Sequence, residues 1–345
     1  MNKKIPAPLL VIILGILCFP LLWSCQRRSP PSQEGTISAW LTLYTSEPLE
    51  LAQEAIADFQ KSYPQVEVEI FRSGTGDVIS RINAEMIATG GTEANLIWFA
   101  DIGFMSNLDS QGLILHYSPP AAARIDPQYA YNNGMGHEVR LIYNVIAYNT
   151  RLVNTPPRDW MDLVNPAFRS MVAMANPNYS GGAFTALVAH IQNSDRVGWR
   201  FYEEMQGNDM KMELANGVLQ TKVSSGEYAA VLIVDFMANN ARIAGSPVNV
   251  VWPASGAVLI PTPLALVNNM SPEQEAAAKA LVDHFFMDAT QELFSRQGYI
   301  PVMPGAPLPP GAPAVNQIVT MPFDLDFFVR ESPNIRSTYE ERFGN

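Results

Sequence analysis

Between residues 36 and 99 the apolar positions switch period repeatedly, and that alternation constrains the fold more than any other feature of the chain. Residues 36–44 pass into an apolar run that reads as a buried strand. Leu51, Ala55, Ile56 and Phe59 then recur at helical spacing across Leu49–Ser62 until Pro64 stops them. Val66, Val68 and Ile70 alternate as a second strand, Ile79, Ile82, Met86 and Ile87 mark a helix over 78–89, and 95–99 is a third short strand leading to Asp101. Strand, helix, strand, helix predicts an α/β fold with a parallel sheet, because strands running the same way need a crossover long enough to be a helix.

The same logic returns further along. Residues 139–148 (VRLIYNVIAY) form a strongly β-forming run, and a loop with Pro156 and Pro157 follows. A strand at 171–175, a loop at 176–182, helices at 183–192 and 196–206, and strands at 229–234 and 248–252 make a second α/β half. Leu264–Val267 is a further strand, 272–286 a helix and 291–297 another. No repeat of about 20 to 50 residues is visible, so two α/β halves with a return crossing near residue 260 is the simplest topology.

With 345 residues and 48% apolar composition the chain can bury one large core or two medium ones. Its net charge is −11, and removing an N-terminal segment that holds Lys3 and Lys4 takes this to −13. Such a surface repels nucleic acid and anionic headgroups, which excludes both as ligands of the whole surface. A small anion stays admissible, since backbone N–H groups at a local site work against the global field.

The first 24 residues read as an export signal: Lys3 and Lys4, a long apolar stretch, then Leu22, Trp23 and Ser24 before Cys25. Cys25 in that place resembles the lipobox of a bacterial lipoprotein, whose thiol takes a diacylglycerol. The mature chain is therefore expected to be lipid-anchored to a bacterial membrane outside the cytoplasm, in the periplasm or at the cell surface. Residues 25–35, with Arg27, Arg28, Pro30 and Pro31, read as the spacer. Cys18 lies inside the signal, so the mature chain has neither a disulfide nor a thiolate metal site.

Candidate site residues cluster where open α/β sheets place ligands, at the carboxyl ends of strands. Thr45 and Ser46, with Glu47 behind them, close the first strand. Ser73, Gly74, Thr75 and Gly76 lie between a strand and a helix, so that small residues bring N–H groups to an anion at a helix N-terminus. Ser180, Gly181 and Gly182 repeat the device in the second half, beside Tyr179. Asp101 suits a cationic or hydroxyl group or caps the following helix, and Asn216 with Gly217 looks like another cleft turn. Arg140 is either an anion clamp or a surface arginine. His116, His137, His190 and His284 match no metal-ligand spacing, no Gly-x-Ser-x-Gly elbow is present, and neither metal, cofactor nor enzymatic activity is expected.

The order of these motifs, with the Arg81 to Glu85 stretch (RINAE) and the ending Gly298, Tyr299, Ile300, Pro301, Val302, resembles extracytoplasmic solute-binding proteins of ABC importers. More narrowly it resembles the branch that contains ferric-ion, thiamine, sugar-phosphate and aminoethylphosphonate binders. The resemblance implies a two-lobed periplasmic-binding-protein type 2 fold with two crossing hinge strands: lobe 1 over 36–139 plus about 262–300, lobe 2 over 140–261, and a C-terminal extension over 301–345 packing on both. It also implies a monomeric receptor that closes on a solute and docks on membrane permease subunits. Ferric-ion binders of this branch carry a tyrosine pair after the second-half strand; here the stretch is Asp235, Phe236, Met237, so an organic phosphate or phosphonate is expected rather than iron, with Asp235 meeting an amino or hydroxyl group. Ferric-ion transport and a signalling or surface lipoprotein are the alternatives.

Overall fold

The computed structural model describes residues 37–131 and 134–344. The expected export signal, Cys25 and the expected spacer to residue 35 lie outside the described residues. Two sheets form the two lobes. In the first, Ala39–Thr45 lies between Val66–Arg72 and Leu96–Trp98, all parallel, and Leu264–Val267 extends the sheet antiparallel to Leu96–Trp98. In the second, Lys211–Glu213, Val172–Ala175 and Ala230–Val234 run parallel, and Tyr143–Asn149 and Val248–Val251 add antiparallel strands.

Helices cover these sheets because their apolar residues share one face. Leu49–Ser62 buries Ala52, Ala55, Ile56 and Phe59, the i, i+3, i+4, i+7 set that lies on a single stripe. Ser271 starts Pro272–Phe285 with a capping box: its hydroxyl accepts from the Gln274 N–H and the Gln274 side chain accepts from the Ser271 N–H.

The lobes are joined at one place by two antiparallel segments. Tyr143 and Asn144 pair with Leu259 and Val258, the Ile260 N–H donates to the Ile142 carbonyl at 2.9 Å, and Leu264 pairs with His137. The run expected as one strand over 139–148 is therefore two, Arg140–Leu141 and Tyr143–Asn149, broken at Ile142. The first piece pairs with Ile300–Pro301 and the second belongs to the second-lobe sheet, so the backbone changes direction between them.

Four helices were not anticipated from periodicity. Ile102–Ser110 is started by Asp101, Asn216–Ser225 buries just Leu219 and Val223, and Asp235–Ile243 follows its strand with no turn residue between. Leu325–Phe343 tolerates Pro333 within its length. Among the described residues no helix is long and apolar enough to cross a membrane.

Candidate functional site

A cavity of about 580 Å³ opens between the lobes beside the two crossing segments. The first lobe contributes Ser46, Glu47, Arg72, Ser73, Gly74, Thr75 and Asp77 to its wall. The second contributes Tyr179, Ser180, Gly181, Gly182, Asn216 and Gly217, with Phe236 and Met237; Ile142, Ile260 and Thr262 come from the crossings.

Four helices begin on this wall: Thr75–Thr89, Gly181–Gln192, Asn216–Ser225 and Asp235–Ile243. The first N–H groups of a helix have no partner inside it and carry the positive end of its dipole. At Gly181–Gln192 the Ser180 hydroxyl accepts from the Ala183 N–H at 3.3 Å. Gly74, Ala215 and Val234, the residues preceding the other three, supply no side-chain cap, although at Asp235–Ile243 the Asp235 carboxyl itself accepts from the Phe236 N–H. Arg72 adds a cation at the same wall, held by a 3.0 Å bond from its Nε to the Glu47 carbonyl. Asp77 is engaged in accepting from the Ser73 hydroxyl at 2.7 Å. The Asn216 amide oxygen is buried without a hydrogen-bond partner.

Beneath the cavity lies a buried polar hub. Arg140 is fully buried, pairs with Glu47, donates to Thr262 Oγ1 at 3.0 Å, and stacks between the rings of Trp98 (4.5 Å) and Tyr299 (4.3 Å). Tyr299 also donates to Glu47 at 3.0 Å. Burial pushes the Glu138 carboxyl up to about 8, and it accepts from the Thr262 N–H at 2.7 Å. Arg140 is neither a free clamp nor a surface arginine: its charge is engaged by Glu47.

The sequence-derived candidates divide accordingly. Ser46, Ser73, Gly74, Thr75, Ser180, Gly181, Gly182 and Asn216 come together on the cavity wall. Four others stand outside it. Thr45 is fully buried, donating to the Trp98 carbonyl at 2.6 Å and accepting from the Glu47 N–H. Gly76 meets the other lobe directly, since a Cβ there would come within 2.8 Å of the Asn178 carbonyl oxygen. Asp101 takes its capping role, accepting from the Phe104 N–H at 2.9 Å. Asp235 accepts from the Tyr143 N–H at 2.9 Å, is pushed up to about 7 by burial, and lines a separate cavity beside Trp252. Arg72, which precedes Ser73 at the carboxyl end of its strand, was missed although the strand-end rule reaches it.

Tyr179 is the tyrosine on the cavity wall, and Phe236 and Met237 stand in the stretch where a phenolate pair would be sought. Among the described residues no three His, Cys, Asp or Glu side chains gather as a metal-ion group.

Residues 92–323 match the family model for bacterial extracellular solute-binding proteins. A putative 2-aminoethylphosphonate-binding periplasmic protein of Salmonella paratyphi A (strain ATCC 9150 / SARB42) is 24% identical over 244 residues, covering 66% of this chain and 70% of that one. Among solved structures, the periplasmic binding protein P5PA superposes with a TM-score of 0.76 at 22% identity, covering 88% of this chain and 99% of that one. AfuA from Actinobacillus pleuropneumoniae, with exogenous fructose-6-phosphate bound, gives 0.78 at 20% identity, covering 89% and 99%. Iron-bound HitA from Pseudomonas aeruginosa gives 0.73 at 18%, covering 87% and 99%. These likenesses establish the two-lobed fold.

Proposed function

The chain belongs to the bacterial extracellular solute-binding protein family, and we propose that it is the lipid-anchored receptor of an ABC importer for a small organic phosphate, phosphonate or related anion. Its kin are binding proteins, not enzymes. The observation that carries the choice of solute is the meeting of uncapped helix N-termini with Arg72 in one interlobe cavity. An oxyanion there receives several N–H bonds and one guanidinium, a combination that favours negative charge.

The remaining wall suits an organic body. Ile142, Ile260, Phe236 and Met237 offer apolar surface. The names of the relatives, one for 2-aminoethylphosphonate and one structure holding fructose-6-phosphate, support the same class. Capture outside the membrane and delivery to permease subunits follow from the family, and the Cys25 lipid is the tether we assign to it.

A thermal-shift panel tests this reading. Full-length protein is expected to gain stability with an aminophosphonate or a phosphorylated sugar, rising with the logarithm of its concentration above the dissociation constant. Stabilisation by Fe(III) with a visible charge-transfer band, and none by any organic phosphate, would reject it in favour of ferric-ion transport.

A further inference from the structure

The last helix, Leu325–Phe343, touches both lobes. On the second lobe Phe343 stacks on Trp199 (6.1 Å), Arg342 pairs with Glu203 (2.8 Å), and Phe328 meets Phe184 edge-on (5.9 Å). The preceding chain is fixed there too, with Asn193 donating to the Pro322 carbonyl at 2.8 Å. On the first lobe the helix lies along Ile102–Ser110. Phe328 covers Gly103, and Arg336 reaches Asp101 at 3.8 Å.

Arg336 stands where the lobes meet. Its guanidinium lies 3.8 Å from the centre of the Phe184 ring, donates to the Pro177 carbonyl at 3.4 Å, and faces the Asp101 carboxylate, which is itself buried. Pro177 and Phe184 belong to the second lobe, Asp101 to the first. Immediately beside them Gly181 presses on the Ala100 carbonyl and Gly76 on that of Asn178, so this is the line along which the lobes touch.

We propose that Arg336 is a latch on the closed cleft: the C-terminal helix rides on the second lobe, and its pairing with Asp101 forms as the lobes shut and breaks as they part. Asp101 thereby has two roles, capping Ile102–Ser110 with one oxygen and receiving Arg336 with the other. Burial works against both charges, pushing the Asp101 carboxyl up and the Arg336 guanidinium down, so removing either partner leaves the other as an uncompensated, partly buried charge. Arg336 touches no solute; it acts as a positioning residue for the walls that do. This inference rests on the reading of the interlobe cavity as the solute site.

Two readouts test it on the full chain. Arg336→Gln removes the charge, and Asp101→Asn keeps a capping oxygen while removing the carboxylate. With 2-aminoethylphosphonate and fructose 6-phosphate as probes, each variant is expected to release bound solute about three- to tenfold faster, a range set by one half-buried charge pair. Arg336→Lys is expected to recover part of the loss. Hydrogen–deuterium exchange, which needs no solute, is expected to quicken at 74–78 and 177–182 while the helix 325–343 keeps its protection. Unchanged exchange along that seam in both variants would overturn the latch. So would accelerated exchange throughout 325–343, which means that Arg336 merely docks the helix. Failure of the parent protein to bind either probe would count against the solute reading and leave the exchange measurement to decide the latch.

Discussion

Single atoms decide whether this cleft can close. A Cβ on Gly181 would overlap the Ala100 carbonyl oxygen and come within 2.9 Å of Thr75 Oγ1, so glycine is required there by close approach, although its sequence context reads as a ligand-binding turn. Gly181→Ala is expected to weaken solute binding about tenfold or more, the range for forcing one methyl into a filled contact. Thermal unfolding without solute is expected to fall by less than this, because lobes that part relieve the overlap, and calorimetric titration beside a melting curve checks both halves of the expectation. The buried acids make a second residue-scale prediction. Glu138 is pushed up to about 8 and Asp235 to about 7, both by burial, so the folded chain holds protons that the unfolded chain has released. The sign follows: the stability these two groups contribute is fullest below the unfolded carboxyl range, declines as pH rises toward 8, and levels off beyond it. Glu138→Gln is expected to flatten the upper part of that decline in pH-dependent melts.

Elements were legible where one face of a helix or strand repeats its apolar residues. Leu49–Ser62 and Leu264–Val267 appear at the expected bounds, and the helix expected over 78–89 begins three residues earlier, so Thr75 and Gly76 form its first turn. Short elements without such a face were illegible. Asn216–Ser225 buries two apolar residues and Asp235–Ile243 begins with no breaker before it, yet both point their first turns at the cavity. Half of the anion-attracting helix ends were thus invisible to periodicity, while the two introduced by Ser and Gly were found. Capping chemistry is the most local part of the account. Ser271→Ala is expected to cost about 1 kcal/mol, because it removes the acceptor of the Gln274 N–H, and urea melts with an unchanged slope would check it. Loss of the slope as well would mean that the helix does more than cap.

At the scale of the whole molecule the sequence conveyed an α/β fold in two halves with a return crossing, and the fold is that. It did not convey where the long-range partners of charged residues lie. Arg140 and Glu47 are far apart in the chain and meet only because the crossing strand passes under the end of the first strand. Asp101 and Asp235 sit at strand ends as the ligand rule asks, but their side chains turn to a helix cap and to the Tyr143 N–H. Arg72 is the residue that the assembled cleft adds as a carrier of solute contact. The central claim is that this cleft holds an organic anion on helix N-termini and Arg72, and titration calorimetry of the full chain and of Arg72→Ala tests it most directly. The parent is expected to bind 2-aminoethylphosphonate or fructose 6-phosphate at one site, and Arg72→Ala to lose about 10- to 100-fold in affinity, the worth of one charge-assisted hydrogen bond. Equal binding by both proteins, or heat from neither organic phosphate while Fe(III) titrates to one equivalent, would contradict it.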